Sequence, residues 1–181
     1  MKNLFNYLTL IFFSISSLSF NAQSQSAAVL SVYTQSAKIS PEMAESVLRV
    51  EMTKTEQFNV IDKLDMNEIL EENEIDVSNC YGKKCLLRVG KSAGVDKVIT
   101  GSIENLGKKI VVTVKILDVD SESYDKVAIE EFINLDAEIQ SMVKIVVNKA
   151  LGIENSQEIL NTLVYFNQPP ITPTTYLKNN G

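Results

Sequence analysis

Histidine is absent from this 181-residue chain. The commonest general base is therefore missing, and Ser-His-Asp or Cys-His catalytic sites cannot be assembled. Cysteine is scarce, with Cys80 and Cys85 the two present. Zinc asks for four ligands, usually Cys or His, so a metal centre is not expected. Basic blocks are lacking as well: Lys83-Lys84 and Lys108-Lys109 are isolated pairs, and the formal net charge is −6. An acidic chain repels phosphate backbones and anionic lipid surfaces, which argues against nucleic acid and membrane partners. The chain also lacks an apolar run of the ~20 residues that a membrane-crossing helix needs.

What is present begins with an export signature. Lys2 is the one charge ahead of the apolar run Leu8 to Phe13, which passes through a Ser-rich stretch into Asn21-Ala22-Gln23-Ser24. That order matches the basic, apolar and small-residue regions of a secretory signal peptide, with cleavage expected after Ser24. The competing reading, an uncleaved anchor, is opposed by the serines that interrupt the run. No Cys follows the run, so a lipid attachment site is not expected. In an exported chain, Cys80 and Cys85 read as one short-range disulfide. The expected division is a signal peptide over 1–24, one α/β domain over 25–154 and a Pro-containing tail over 155–181.

Ala27 to Tyr33 is apolar on both faces and reads as a buried strand. Ser40-Pro41-Glu42 is a helix start, and the helix is expected from Pro41 to about Thr55. Its apolar stripe is read as Met43, Val47 and Val50 with Ala44, Leu48 and Met52 beside them. Glu42, Glu45 and Arg49 are assigned to the other face. Phe58 to Ile61 reads as a short strand. Asp62 then caps a helix with apolar contacts at Leu64, Ile69 and Leu70, expected to fray after about Glu72 because acids oppose the dipole there. A third helix is expected over Cys85 to Ala93, closed by Gly94. Lys97–Glu104, Ile110–Leu117 and Tyr124–Ile133 read as a meander of three strands joined by tight turns. Asp136 is assigned as the cap of a helix whose stripe is Ile139, Met142, Val143, Val146 and Ala150, stopped by Gly152. A shorter helix follows over Ser156 to Val164. The order β-α-β-α-α-β-β-β-α gives a fold of α/β (α+β) class, with a single mixed sheet of about five strands and helices packed on it.

Several segments carry a family likeness. They are Ile39 to Val47, Phe58-Asn59-Val60-Ile61-Asp62, Asn67-Glu68-Ile69-Leu70-Glu71-Glu72, Cys80 to Cys85, Val89 to Ile103, and Val112 to Val119. In order and spacing the chain resembles the superfamily of the curli-secretion protein CsgG, the penicillin-binding-protein activator LpoB and the amino-terminal domain of TolB. The resemblance covers Ala27 to about Gly152. It implies a periplasmic or outer-membrane accessory protein that binds proteins and is not an enzyme. Two departures stand out. CsgG-type pores carry long membrane-spanning hairpins where this chain has tight turns, and both the pores and the LpoB-type activators have a lipid anchor.

Other chemistry finds weak support. Gly90-Lys91-Ser92 lacks the earlier Gly of a phosphate-binding loop, since position 85 is Cys. Asp118, Asp120 and Glu122 alternate like calcium-loop ligands, but the required Gly and final acid are replaced by Ser123 and Ile129, so a solvated turn is expected. Glu68, Glu71 and Glu72 suit a solvated helix face better than an acid pair. The tail is unusual for its apolar content among prolines: Tyr165, Phe166, Ile171, Tyr176 and Leu177 are candidate partner-binding residues, or they pack back on the domain. The reading is thus a non-enzymatic periplasmic adaptor or regulator without cofactors, with envelope proteins as partners. The alternatives are a subunit of an oligomeric ring that self-associates through an open sheet edge, and a secreted ligand binder or enzyme using acidic residues.

Overall fold

The computed structural model describes residues 24–165. The predicted signal segment up to Gln23 and the tail residues Phe166, Ile171, Tyr176 and Leu177 lie outside the described residues. The elements run β1 (Ser26–Gln35), α1 (Pro41–Thr53), β2 (Asn59–Val60), α2 (Lys63–Glu72), α3 (Lys83–Ala93), β3 (Lys97–Asn105), β4 (Lys109–Asp118), β5 (Ser123–Ile133), α4 (Ile139–Leu151) and α5 (Gln157–Tyr165). They form one five-stranded mixed sheet of order β2-β1-β3-β4-β5. β1 is parallel to β2 and β3, and the β3-β4-β5 meander is antiparallel. The α/β (α+β) class and the element order are as expected from sequence.

Local chemistry sets the helix ends. The Ser40 hydroxyl accepts from the Met43 amide at 3.2 Å, with Pro41 in the first turn. Asp62 accepts from the amides of Leu64 and Asp65 at 2.6 and 3.0 Å. Gly94 and Gly152 close α3 and α4 in the left-handed conformation, with φ of 62° and 71°.

The chain path explains why helices lie on both faces. From β1 it steps to one side, through α1 to β2, and then returns across β1, through α2 and α3 to β3. Right-handed crossovers in opposite directions place their helices on opposite faces. α1 and α4 cover one face, burying Ala44, Leu48, Met52, Met142, Val143 and Val146 against Val29, Val32, Ile99, Val112, Val114 and Ile116. α2 and α3 cover part of the other, where Met66, Leu70, Leu86 and Val89 pack on Ala28, Leu30, Val98 and Leu117. Gly90 permits close approach of α3, because a Cβ there would lie 2.6 Å from Val98 Cγ2. This packing role accounts for the glycine of Gly90-Lys91-Ser92.

Four expectations need correction. Asp136 does not cap α4: a 3-10 turn, Asp136–Glu138, precedes the helix, and the Asp136 carboxylate pairs with Lys38 at 2.9 Å. Met43 and Val50 are exposed at the margin of the α1 stripe. Arg49, assigned to the solvent face, is buried with Glu51. Leu64 faces solvent, and Met66 takes its place in the core. In α1 and α2, contacts with the sheet set the buried direction, and the apolar pattern alone left it a quarter turn uncertain.

Candidate interaction face

The feature that shapes the surface is an irregularity in β1. Pairing with β3 runs Val29 to Ile99, then resumes with Val32 to Gly101. One extra residue is inserted, and Ser31 holds a φ of +42°. An extra residue inverts the side-chain alternation beyond it. Val29 and Val32 therefore both enter the α1/α4 core. Tyr33 is thereby turned to the other face, where it is 40% exposed.

A bulge frees backbone groups from the ladder, and buried ones must find partners. Arg49 Nη2 donates to the Val29 carbonyl at 2.7 Å. The Ser31 amide donates to Glu45 Oε2 at 3.1 Å, and Thr100 Oγ1 donates to the Ser31 carbonyl at 2.8 Å. Glu45 in turn accepts from Arg49 at 3.0 Å and from Lys63 at 3.3 Å. These charges lock α1 and α2 onto the bulge. They line or adjoin a cleft of about 250 Å³ whose walls include Ser31, Glu45, Lys63 and Tyr81.

Beyond the reach of α2 and α3, the sheet face is open. The register puts Tyr33 beside Ser102, Ser102 beside Thr113, and Thr113 beside Ile129. One step along, Lys115 lies opposite Val127. Val127 and Ile129 are 53% and 54% exposed, while Ala128 between them is buried on the helix-covered face. Tyr81 packs edge-on against Tyr33 with ring centroids 5.4 Å apart. Its position is set by Cys80 next to it, which is buried and bonded to Cys85 in a disulfide. The expected short-range bridge thus ties the α2–α3 loop to α3 beside the open face. The result is a flat platform of β-branched and aromatic side chains edged by Lys115 and Glu104, rather than a pocket.

One end of the sheet carries an ion triad. Lys97 is buried, with Nζ 2.7 Å from Asp118 and 3.1 Å from Asp125. Burial pulls its pKa down, but the hydrogen bonds to the two carboxylates outweigh this and leave it raised. The Lys97 bond and the Ser121 amide hold Asp118 well below the usual carboxylate range. Asp118 is thus tied to Lys97 of β3, and Glu122 to Lys91 of α3 at 2.5 Å. Asp76, Asp96 and Glu122 are also lowered, Asp76 by Ser78, Asp96 by Ser26 and Glu122 by Lys91. Glu68, Glu71 and Glu72 are exposed along α2 and are not gathered in a cleft. No group of metal-ligating side chains occurs among the described residues.

A larger groove, of about 650 Å³, lies between β5, α4 and α5, lined by Phe132, Ile145, Ile153, Leu160 and Leu163. α5, which ends at Tyr165, lies within the segment 155–181 expected as a tail. Sequence reasoning missed Arg49, Glu45 and the bulge. The available signal was Ser31, a lone polar residue inside an apolar run.

No protein-family model matches the sequence. No curated protein matches it either. Solved structures do. The LpoB C-terminal domain of Salmonella enterica aligns with a TM-score of 0.54 at 10% identity, over 61% of this chain and 84% of that one. The LpoB C-terminal domain of Escherichia coli aligns at 0.52 and 11% identity, over 60% and 82%. Lipoprotein GNA1162 of Neisseria meningitidis aligns at 0.50 and 9% identity, over 82% of this chain and 99% of that one. The chain therefore has the LpoB-like fold expected from its sequence. No helix among the described residues is long and apolar enough to cross a membrane.

Proposed function

We propose that this chain is an exported, non-enzymatic accessory protein of a bacterial envelope, acting as an adaptor or regulator through the open half of its sheet. The observation that carries the reading is the platform itself. Tyr33, Val127 and Ile129 stand exposed on rigid strands, and the bulge that turns Tyr33 outward is held by buried charges. Rigid, exposed β-branched and aromatic side chains suit docking to another protein, because little side-chain freedom is lost on contact. The likeness of fold to the LpoB domains supports an envelope setting, as does the signal-like amino terminus. The residues Tyr165, Phe166, Ile171, Tyr176 and Leu177 offer a second contact for the same partners.

Site-specific photo-crosslinking in the native organism tests this. Crosslinkers at Tyr33 and Ile129 should capture the same envelope protein, while crosslinkers at Met43 and Leu64, exposed on the outer sides of helices, should not. Equal capture at all four positions, or none at any, would remove the platform from the reading. Processing after Ser24, read from the mass of the exported chain, tests the compartment.

A further inference from the structure

We infer that β5 is a self-association edge: two copies pair their β5 strands antiparallel about a two-fold axis at Ala128, fusing two five-stranded sheets into one.

The sheet order leaves β5 on the outside, and the other edge, β2, is only two residues long. The direction of the β5 backbone follows from two hydrogen bonds. The Asn134 amide donates to the Lys108 carbonyl at 3.0 Å, so even-numbered residues from Lys126 onward turn their backbone groups toward β4. The Ile129 carbonyl is reached from outside the sheet by Lys149 Nζ at 3.4 Å, so odd-numbered residues turn theirs toward the free edge. In a strand, residues whose backbone groups share a direction also share a face. The edge groups without a strand partner therefore belong to Val127, Ile129 and Glu131, the second copy's Val127 amide taking the place of Lys149 on the Ile129 carbonyl, and the exposed apolar side chains lie in the same row.

Side-chain chemistry selects both the occupant and the register. About an axis at Ala128, Val127 meets Ile129 of the second copy on the open face, twice. On the helix face Lys126 meets Glu130 of the second copy, twice. Centring on Ile129 would set Val127 against Glu131 and Lys126 against Phe132, and centring on Val127 would set Lys126 against Ala128. Lys126 has no ion-pair partner among the described residues, whereas Glu130 is paired with Lys149 at the surface. The small, buried Ala128 sits where the two strands approach most closely. Asp125 and Glu131 would otherwise face each other. The irregularity in β5 pairing opposite Ile116 and Leu117 removes Asp125 from the row, and its carboxylate bonds to Lys97. An edge lysine and a bulge are also devices that forbid strand pairing. Here the deciding feature is Glu130, at the position that answers Lys126.

This deepens the proposed function. A two-fold axis perpendicular to the sheet keeps both open faces on one side, so the dimer presents a platform of double width. The interface is small, and the association is expected to be weak and reversible.

Sedimentation equilibrium on the purified exported chain tests the inference without any partner, so it can fail independently of the crosslinking result. The wild type should show a concentration-dependent dimer. Lys126→Glu and Glu130→Lys should each weaken it about tenfold, since each creates two like-charge pairs. The double variant Lys126→Glu/Glu130→Lys should restore it. Circular dichroism should show all three folded, because both side chains lie at the surface. A strict monomer up to the solubility limit, or a dimer indifferent to the single variants, would overturn the inference, as would a double variant that restores nothing.

Discussion

On one side of the sheet, α1 and α4 close the larger core over β1, β3 and β4; on the other, α2 and α3 cover a smaller one. The same strands supply both sides. In β4, Ile110, Val112, Val114 and Ile116 are all buried on the closed side. Of their neighbours, Val111 and Lys115 are partly open, Thr113 is buried among the strands, and Leu117 joins the second core. The comparison teaches that coverage by helices, more than strand composition, decides which apolar residues stabilise the fold and which stay available for contact. A change on the closed side should therefore register in stability, and one on the open side in association.

The largest effect is expected at the centre of the closed side. Met142 is fully buried between α4 and the sheet. Met142→Ala leaves a cavity and should cost about 2–5 kcal/mol, read as a lower urea midpoint with an unchanged slope. A cost below about 1 kcal/mol would mean that α4 is loosely seated and that the two sides differ less than their burial indicates.

Next comes the bulge, which connects the two sides. Arg49→Met fills the space but removes the donor to the Val29 carbonyl and the main partner of Glu45. Leaving buried acceptors unmatched should cost about 2–3 kcal/mol. It should also change the near-ultraviolet signal of the Tyr33–Tyr81 pair, because the bulge orients Tyr33. A loss of stability with an unaltered tyrosine signal would separate the bulge from the open face.

These two sites also show how far the sequence could be read. The alternation in β4, the Ser40-Pro41 and Asp62 starts, and Gly94 and Gly152 are local signals, and the corresponding elements formed as expected. The α4 stripe was legible as well, since Ile139, Met142, Val143, Val146 and Ala150 are all buried. The bulge was not, because a run apolar on both faces gives no alternation to be interrupted, and the lone polar Ser31 does not by itself mark an inserted residue. Arg49 was misplaced because its partner, the Val29 carbonyl, lies 20 positions away and exists as a free acceptor only once the bulge has formed. The open face was half legible. Val127 and Ile129 opposite Ala128 and Glu130 could be seen in the sequence, but which pair would be covered depends on where α2 and α3 end.

A smaller effect is expected at the acid end of the pH scale. Asp118 has a folded pKa below its unfolded value, so its contribution is present above about pH 3.9 and is lost as pH falls toward the folded value. Lys97 has a raised pKa, so its share persists through neutral pH and is lost only in strong alkali. Asp118→Asn should therefore lower stability by about 1 kcal/mol at neutral pH and flatten the decline of Tm between about pH 4 and pH 2. An unchanged slope would assign the acid sensitivity to other carboxylates.

The smallest effect on stability is also the sharpest test of the contrast between the two sides. Ile129 makes little use of its side chain in the folded monomer, since more than half of it is in water. Ile129→Thr keeps the β-branch that suits a strand and removes one apolar arm, so the urea midpoint should move by less than the equivalent of about 0.5 kcal/mol. The same arm lies in the row that faces a partner and, in the inferred dimer, meets Val127 of the second copy. Both associations should weaken severalfold while the fold stays intact. A variant that loses stability without losing association would place Ile129 in the core economy of the domain, and the open side would then be merely thinly covered. Association lost at constant stability is the result that separates a surface kept clear for contact from one that the helices happened not to reach.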